Sequence, residues 1–207
     1  FMPAAHRFGL MVEIDHMVIS KALRELARFR QQGRDVRFTI NLSGYAFEDP
    51  GLLQLIERNL HENQVDPSWV IFEITEQVAV RHLTQARGLI EGVTQLGCRF
   101  ALDDFGAGFS SFNYLKHLPA DFIKIDGGFI KNIANEPIDQ AMVKSIIDIA
   151  RTVGKQTIAE YVQDTATLKI LRELGVDYAQ GYCIGKPEAD LCAGVFPLPV
   201  ARTVRRR

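Results

Sequence analysis

The sequence predicts an α/β fold built from parallel strand–helix units. Short runs rich in β-branched and aromatic residues recur along the chain and alternate with amphipathic helical stretches. Three successive helical stretches stop at a glycine before the next run begins. Every run carries a polar or ionisable residue at or just beyond its C-terminal end, as expected where ligands meet the carboxyl ends of parallel strands.

The elements follow in order. A long helical stretch, Leu10–Gln32, precedes the first run, Val36–Asn41. Leu52, Leu53, Leu55, Ile56 and Leu60 then space out a helix, with Asp49-Pro50 expected as its cap and first turn. The second run is Val70–Glu73. Leu89, Ile90, Val93 and Leu96 mark a helix ending at Gly97, followed by the runs Arg99–Asp103 and Asp121–Ile125. The helix through Met142, Val143, Ile146, Ile147, Ile149 and Ala150 stops at Gly154, before Gln156–Glu160. The last helix carries Leu168, Ile170, Leu171 and Leu174, stops at Gly175, and leads to Asp177–Gln180. A (β/α)8 barrel needs eight strands and a doubly wound sheet can close with six, so the count alone leaves both open.

Composition bounds the function. The 207 residues are 47% hydrophobic and 24% charged, ordinary for one globular domain. Lys plus Arg total 24 against 25 Asp plus Glu, which excludes a broadly basic surface for a nucleic-acid polymer. Cys98, Cys183 and Cys192 are odd in number and form no C-x-x-C, which points to a reducing compartment, the cytoplasm. No run of 18 apolar residues is present, so no membrane segment is expected. The opening Phe1-Met2-Pro3 lacks the features of a signal peptide and reads as the interior of a longer protein. Residues 193–207, with Arg202 and Arg205–Arg207, read as a basic C-terminal tail, exposed and mobile.

The polar strand ends are Asn41, Glu73 with Glu76, Asp103 with Asp104, Lys124 with Asp126, Glu160 and Gln180. Carboxylate and amide oxygens are what Mg2+ or Mn2+ prefer. Adjacent Asp103 and Asp104 repel, and a bound divalent cation is a natural reason to keep both ionised. Each residue also has a plainer reading. Asn41 suits a turn before Ser43-Gly44, and Thr75 and Glu76 suit a helix cap. Lys124, between Ile123 and Ile125, must meet a carboxylate or phosphate if it is buried. His6, His16, His61, His82 and His117 share no metal-binding spacing and read as surface or capping residues. The Gly-rich stretch Asp104–Ser111 reads as a loop able to approach or cover a ligand, and Gly127-Gly128 as a turn. Neither matches a P-loop or dinucleotide fingerprint.

Asn41-Leu-Ser43, Phe72-Glu-Ile-Thr-Glu76, Leu102 through Ser111, Ile123-Lys-Ile-Asp126, Ile158-Ala-Glu160, and Ala179-Gln-Gly-Tyr182 through Lys186-Pro187 occur in order. Together they resemble the EAL domain, the bacterial phosphodiesterase module for cyclic di-GMP. The resemblance implies a TIM-like (β/α)8 barrel with one antiparallel strand, of which this chain holds strands three to eight. It implies an EAL domain over residues 1–192, incomplete at its N-terminus. The Glu-Ala-Leu motif, whose Glu is a metal ligand in the family, would lie upstream of Phe1.

By resemblance, Asn41, Glu73, Asp103, Asp104 and Glu160 hold two Mg2+ or Mn2+ ions. Glu160, Lys124 and Asp104 act in catalysis. Glu76 anchors the loop Gly106–Ser110, accepting hydrogen bonds from it without binding metal. Gln180, Phe105, Gly106 and Pro187 meet substrate. The implied reaction opens cyclic di-GMP to linear pGpG. A homodimer, an upstream sensory or GGDEF-type domain and a part in biofilm signalling are implied with it. The chain departs from the family at Tyr161 and Gln163, where it often reads Gly and Glu, at His6-Arg7, and at Gly127-Gly128, which replaces a larger pair. The competing reading is an EAL domain that binds cyclic di-GMP as a receptor without hydrolysing it. A third, a nucleotide-free interaction module, predicts eroded polar strand ends, which the sequence does not show.

Overall fold

The computed structural model describes residues 2–108 and 112–186. These fall into two compact units, 2–101 with 112–120, and 102–108 with 121–186. Pro187, Cys192 and the basic tail 193–207 lie outside the described residues.

The first unit opens with α1 (Met2–Arg7) and α2 (Met11–Gln31). In α2 the buried positions Met11, Asp15, Ile19, Leu23, Leu26 and Ala27 recur at the helical period and give one apolar stripe. It packs on β1 (Phe38–Asn41) and on α3 (Leu52–Glu62). Asp49 is not the cap of α3: Gly51 holds that position, and Asp49 Oδ1 accepts from the Gly51 N–H at 2.8 Å, closing a turn ahead of the helix. Its Oδ2 meets His16 Nε2 at 2.5 Å, so His16 has a defined partner. β2 (Val70–Thr75) is buried along nearly its whole length, as parallel strands covered on both faces are. The short α4 (Glu76–Arg81) and α5 (Leu83–Gln95) follow. β1 and β2 are parallel, with Phe38 opposite Val70 and Asn41 opposite Glu73.

β3 (Arg99–Phe105) contributes Arg99–Ala101 to the first unit and Leu102–Phe105 to the second. The second unit continues with β4 (Phe122–Ile125), the one-turn α6 (Gly127–Ile130), α7 (Pro137–Thr152), β5 (Gln156–Ala159), α8 (Thr165–Leu174) and β6 (Tyr178–Ala179). Strand order follows chain order, β1-β2-β3 in the first unit and β3-β4-β5-β6 in the second. β4 pairs β5 and β5 pairs β6, both parallel. α7 covers β4 and β5 with Val143, Ile146, Ile147 and Ala150. The three glycine stops hold. Gly175 shows why: at φ +88° its N–H reaches the Leu171 and Arg172 carbonyls, a left-handed turn that glycine adopts without a Cβ penalty.

All six predicted strands are present, with ends shifted by one or two residues. β3 gains two residues, running through Asp103 and Asp104 to Phe105. Among the described residues no helix is long and apolar enough to cross a membrane.

One buried acid fixes the turn after β1. Asp15 is 6% exposed, and it accepts from the Ser43 N–H at 3.2 Å and the Ser43 hydroxyl at 2.6 Å. Removing a charged acceptor of this kind typically costs about 1.5–3 kcal/mol. Asp15→Ala is therefore expected to lower the unfolding free energy by that amount, read as a lower denaturant midpoint with the slope unchanged. A midpoint equal to wild type would refute the assignment.

Candidate active site

In the second unit, register alone collects polar groups. Ile125 faces Ala159 and Ala159 faces Ala179, so the next residues, Asp126, Glu160 and Gln180, emerge level at the carboxyl end of the sheet. The ladder continues past the strands: the Glu160 N–H donates to the Ile125 carbonyl at 3.3 Å and the Gln180 N–H to the Ala159 carbonyl at 2.8 Å. Asp126 caps α6, accepting from the Gly128 N–H at 2.8 Å, so Gly127-Gly128 starts a helical turn.

Lys124 is 4% exposed, inside a strand buried at every position. Its Nζ lies 2.7 Å from Asp103 Oδ1 and 2.7 Å from Glu160 Oε1. The contact with Asp103 is an ion pair without the alignment of a hydrogen bond. Asp103, Asp104 and Glu160 each offer a carboxylate oxygen, and these oxygens all lie within 4.8 Å of one another. Burial raises the Asp104 carboxyl above its usual range, the charges of Asp103 and Asp126 raise it further, and Lys124 offsets part of this. Glu160 is also raised, first by burial and then by Asp103 and Asp104, against the lowering effect of its hydrogen bond to Lys124. Asp104 itself sits at φ +52°, a left-handed conformation that Asp tolerates better than most residues.

This donor set fits a hard divalent cation. Its ligands are oxygens, and four neighbouring acids, Asp103, Asp104, Asp126 and Glu160, are set against the Lys124 ammonium. The negative charge left over is what a divalent ion would neutralise.

In the first unit, Asn41 is exposed at the end of β1, opposite the buried Glu73 of β2. Glu73 also presents its backbone carbonyl to the Leu42 N–H at 2.8 Å. Glu76 is 2% exposed and opens α4. Its Oε1 accepts from the Tyr114 hydroxyl at 2.5 Å, in the 3₁₀ turn Phe112–Lys116 just after the Gly-rich loop. Burial, then the hydrogen bond to Glu76, hold the Tyr114 phenol far above its usual range. The expected bonds from the loop itself fall partly on residues 109–111, which lie outside the described residues.

Gly106 follows β3 at φ +94°, and Gln180 is exposed. Phe105, expected to touch substrate, has a fully buried ring, and its carbonyl accepts from the Asp126 N–H at 3.2 Å. An aromatic ring ending a buried strand packs inward, whatever stands beside it in the motif. The departures at Tyr161 and Gly127 prove to be one contact. A methyl group on Gly127 would lie 2.8 Å from Tyr161 Cβ and Cδ2, so that ring fits only over glycine.

The EAL domain family profile matches residues 1–187, and the chain belongs to that family. It is 42% identical over 188 residues to the cyclic di-GMP phosphodiesterase PdeB of Shewanella oneidensis, covering 91% of this chain and 22% of that protein. It is 39% identical to the cyclic di-GMP phosphodiesterase PdeF of Escherichia coli, covering 91% of this chain and 25% of that protein. The chain thus spans about a quarter of these curated relatives. Among solved structures it resembles the PaMucR phosphodiesterase in complex with c-di-GMP, at TM-score 0.84 and 34% identity, over 96% of this chain and 77% of that one. It also resembles the FimX EAL domain from Pseudomonas aeruginosa bound to c-di-GMP, at TM-score 0.84 and 33% identity, over 90% and 75%.

Two outcomes follow from the geometry. Protonation of Asp104 and Glu160 favours the folded state more than the unfolded one, because both native pKa values are raised. That stabilisation is complete below their ordinary values of 3.8 and 4.5 and is lost as pH rises through the raised native values. Mg2+ or Mn2+ should therefore raise the thermal midpoint at about pH 8 and do so far less at about pH 5, where protons compete for the ligands. A midpoint indifferent to metal at both pH values would remove the cation site. Separately, Tyr114→Phe should cost about 1.5 kcal/mol or more, the scale of one hydrogen bond to a charged group. Chemical denaturation reads this directly, and a neutral substitution would mean that Glu76 does not depend on the phenol.

Proposed function

We propose that this chain is the catalytic domain of a metal-dependent phosphodiesterase that hydrolyses cyclic di-GMP to linear pGpG. The observation that carries the reading is the convergence of Asp103, Asp104 and Glu160 around the buried Lys124. Similarity to named cyclic di-GMP phosphodiesterases supplies the substrate. We propose two Mg2+ or Mn2+ ions, held by Asp103, Asp104 and Glu160 together with Asn41 and Glu73, the last two on the family resemblance. When bound, such ions lower the pKa of a coordinated water and neutralise charge on the attacking and leaving oxygens.

The chain's own residues have distinct tasks. Glu160, whose basicity burial increases, accepts the proton of the attacking water. Lys124 holds Asp103 and Glu160 in one orientation and faces the developing negative charge with its ammonium. The water oxygen forms a bond to phosphorus, the bond from phosphorus to the 3′ oxygen breaks, and that oxygen leaves as a hydroxyl by taking up the proton that Glu160 accepted. Gln180 and Gly106 line the substrate side, and Pro187 is assigned there by resemblance alone.

We propose further that the six strands are the third to eighth of a (β/α)8 barrel and that the domain works as a homodimer in the cytoplasm. Its two described cysteines, Cys98 and Cys183, are free thiols, which suits a reducing compartment. The much greater length of the curated relatives leaves room for an upstream sensory or GGDEF-type domain; one relative is named a bifunctional diguanylate cyclase and phosphodiesterase.

The purified protein should convert cyclic di-GMP to pGpG with Mg2+ or Mn2+ and stop in excess chelator. Ca2+ should inhibit, since it favours more and longer oxygen contacts than such a site offers. Asp103→Asn should lower turnover at least ~10²-fold. Tight binding of cyclic di-GMP without hydrolysis under any of these metals would make the domain a receptor instead. Undiminished turnover in chelator would sink the metal mechanism.

A further inference from the structure

One aromatic side chain at the carboxyl end of the second unit has no structural purpose in the core. Tyr161 directly follows Glu160, is 52% exposed, and holds its backbone at φ +57°. For a bulky side chain that conformation is a true outlier and persists only where its surroundings enforce it. They do so here from both sides. The Glu160 N–H is tied to the Ile125 carbonyl at 3.3 Å, and the Val162 N–H to the Gln180 carbonyl at 3.0 Å.

The ring itself is also fixed. It lies against Gly127, where no Cβ fits, and the Lys131 ammonium stands 4.2 Å from its centroid. Gly127 and Lys131 are one helical turn apart, so both act from α6 and the residue that ends it. A ring so placed buries little apolar surface. It offers an aromatic face to solvent on the residue directly after Glu160 of the acidic cluster.

Resting on the phosphodiesterase reading, we propose that Tyr161 is a substrate-binding residue: a guanine base of the cyclic dinucleotide stacks on its exposed ring. The chemistry is complementary. A nearby cation draws electron density from the phenol ring, which favours stacking of an electron-rich purine. The Lys131 ammonium also attracts the phosphates that flank the base. Gly127 is the condition for the platform, since any side chain there would displace the ring.

The test is steady-state hydrolysis of cyclic di-GMP and calorimetric binding by the purified protein and three variants, each with its thermal midpoint. Tyr161→Leu, which keeps bulk but loses the aromatic face, should raise KM and Kd roughly 5- to 100-fold, with kcat changed less. Tyr161→Phe should restore the affinity. Tyr161→Gly should show the same rise in KM as the leucine variant without a lower thermal midpoint, because glycine accepts the positive φ. Unaltered KM and Kd in Tyr161→Leu, with the wild type active, would overturn the platform and leave the phosphodiesterase standing. Unaltered KM with a lowered midpoint in both the leucine and glycine variants would make Tyr161 a structural residue. If the wild type binds without hydrolysing, Kd alone decides by the same fold-change. If it does neither, both the platform and the reading beneath it fall.

Discussion

The second unit is organised around a buried ammonium. Lys124 occupies a strand whose every residue is buried, flanked by Ile123 and Ile125. An unpaired charge there would cost several kcal/mol, so its two carboxylate partners are a requirement of the fold. Asp103 comes from β3 and Glu160 from the residue after β5, so the pairing joins the strands on either side of β4. The same contacts that make Lys124 tolerable fix two acids in space. Structural necessity and site geometry are here one arrangement, and replacing Lys124 with an apolar residue would solve the first while losing the second.

That dilemma was legible in the sequence. A lysine between two isoleucines in a strand pattern demands a partner, and acids at neighbouring strand ends are the obvious acceptors. The strands and the glycine-terminated helices were legible for similar local reasons: period, β-branching and turn chemistry all act within a few residues. Long-range choices were not. Tyr114 meets Glu76 across 38 residues, and nothing near either position announces it. Asp49 looked like a helix cap because Asp-Pro commonly opens helices, yet its carboxylate closes the turn before the helix and takes His16 as well. Phe105 looked like a contact residue because it stands inside a polar motif, whereas its ring is fully buried at the end of β3. The tie between Gly127 and Tyr161 was present as two separate departures, and only the fold shows that one makes room for the other.

The distribution of cost across the second unit points the same way as its chemistry. Acids that are partly buried and close together raise one another's pKa, which at neutral pH is a charge the folded protein sustains against its own stability. Two of the non-glycine residues held at positive φ, Asp104 and Tyr161, lie at this same end of the sheet. Repulsion and strain are concentrated where the helices and strands of the rest of the unit are regular and well paired. A fold selected for stability alone would relax both, by neutralising one acid and by placing glycine at position 161. Held together at one end of the sheet, on the strands either side of β4, repulsion and strain are what the proposed cation and stacked base would offset.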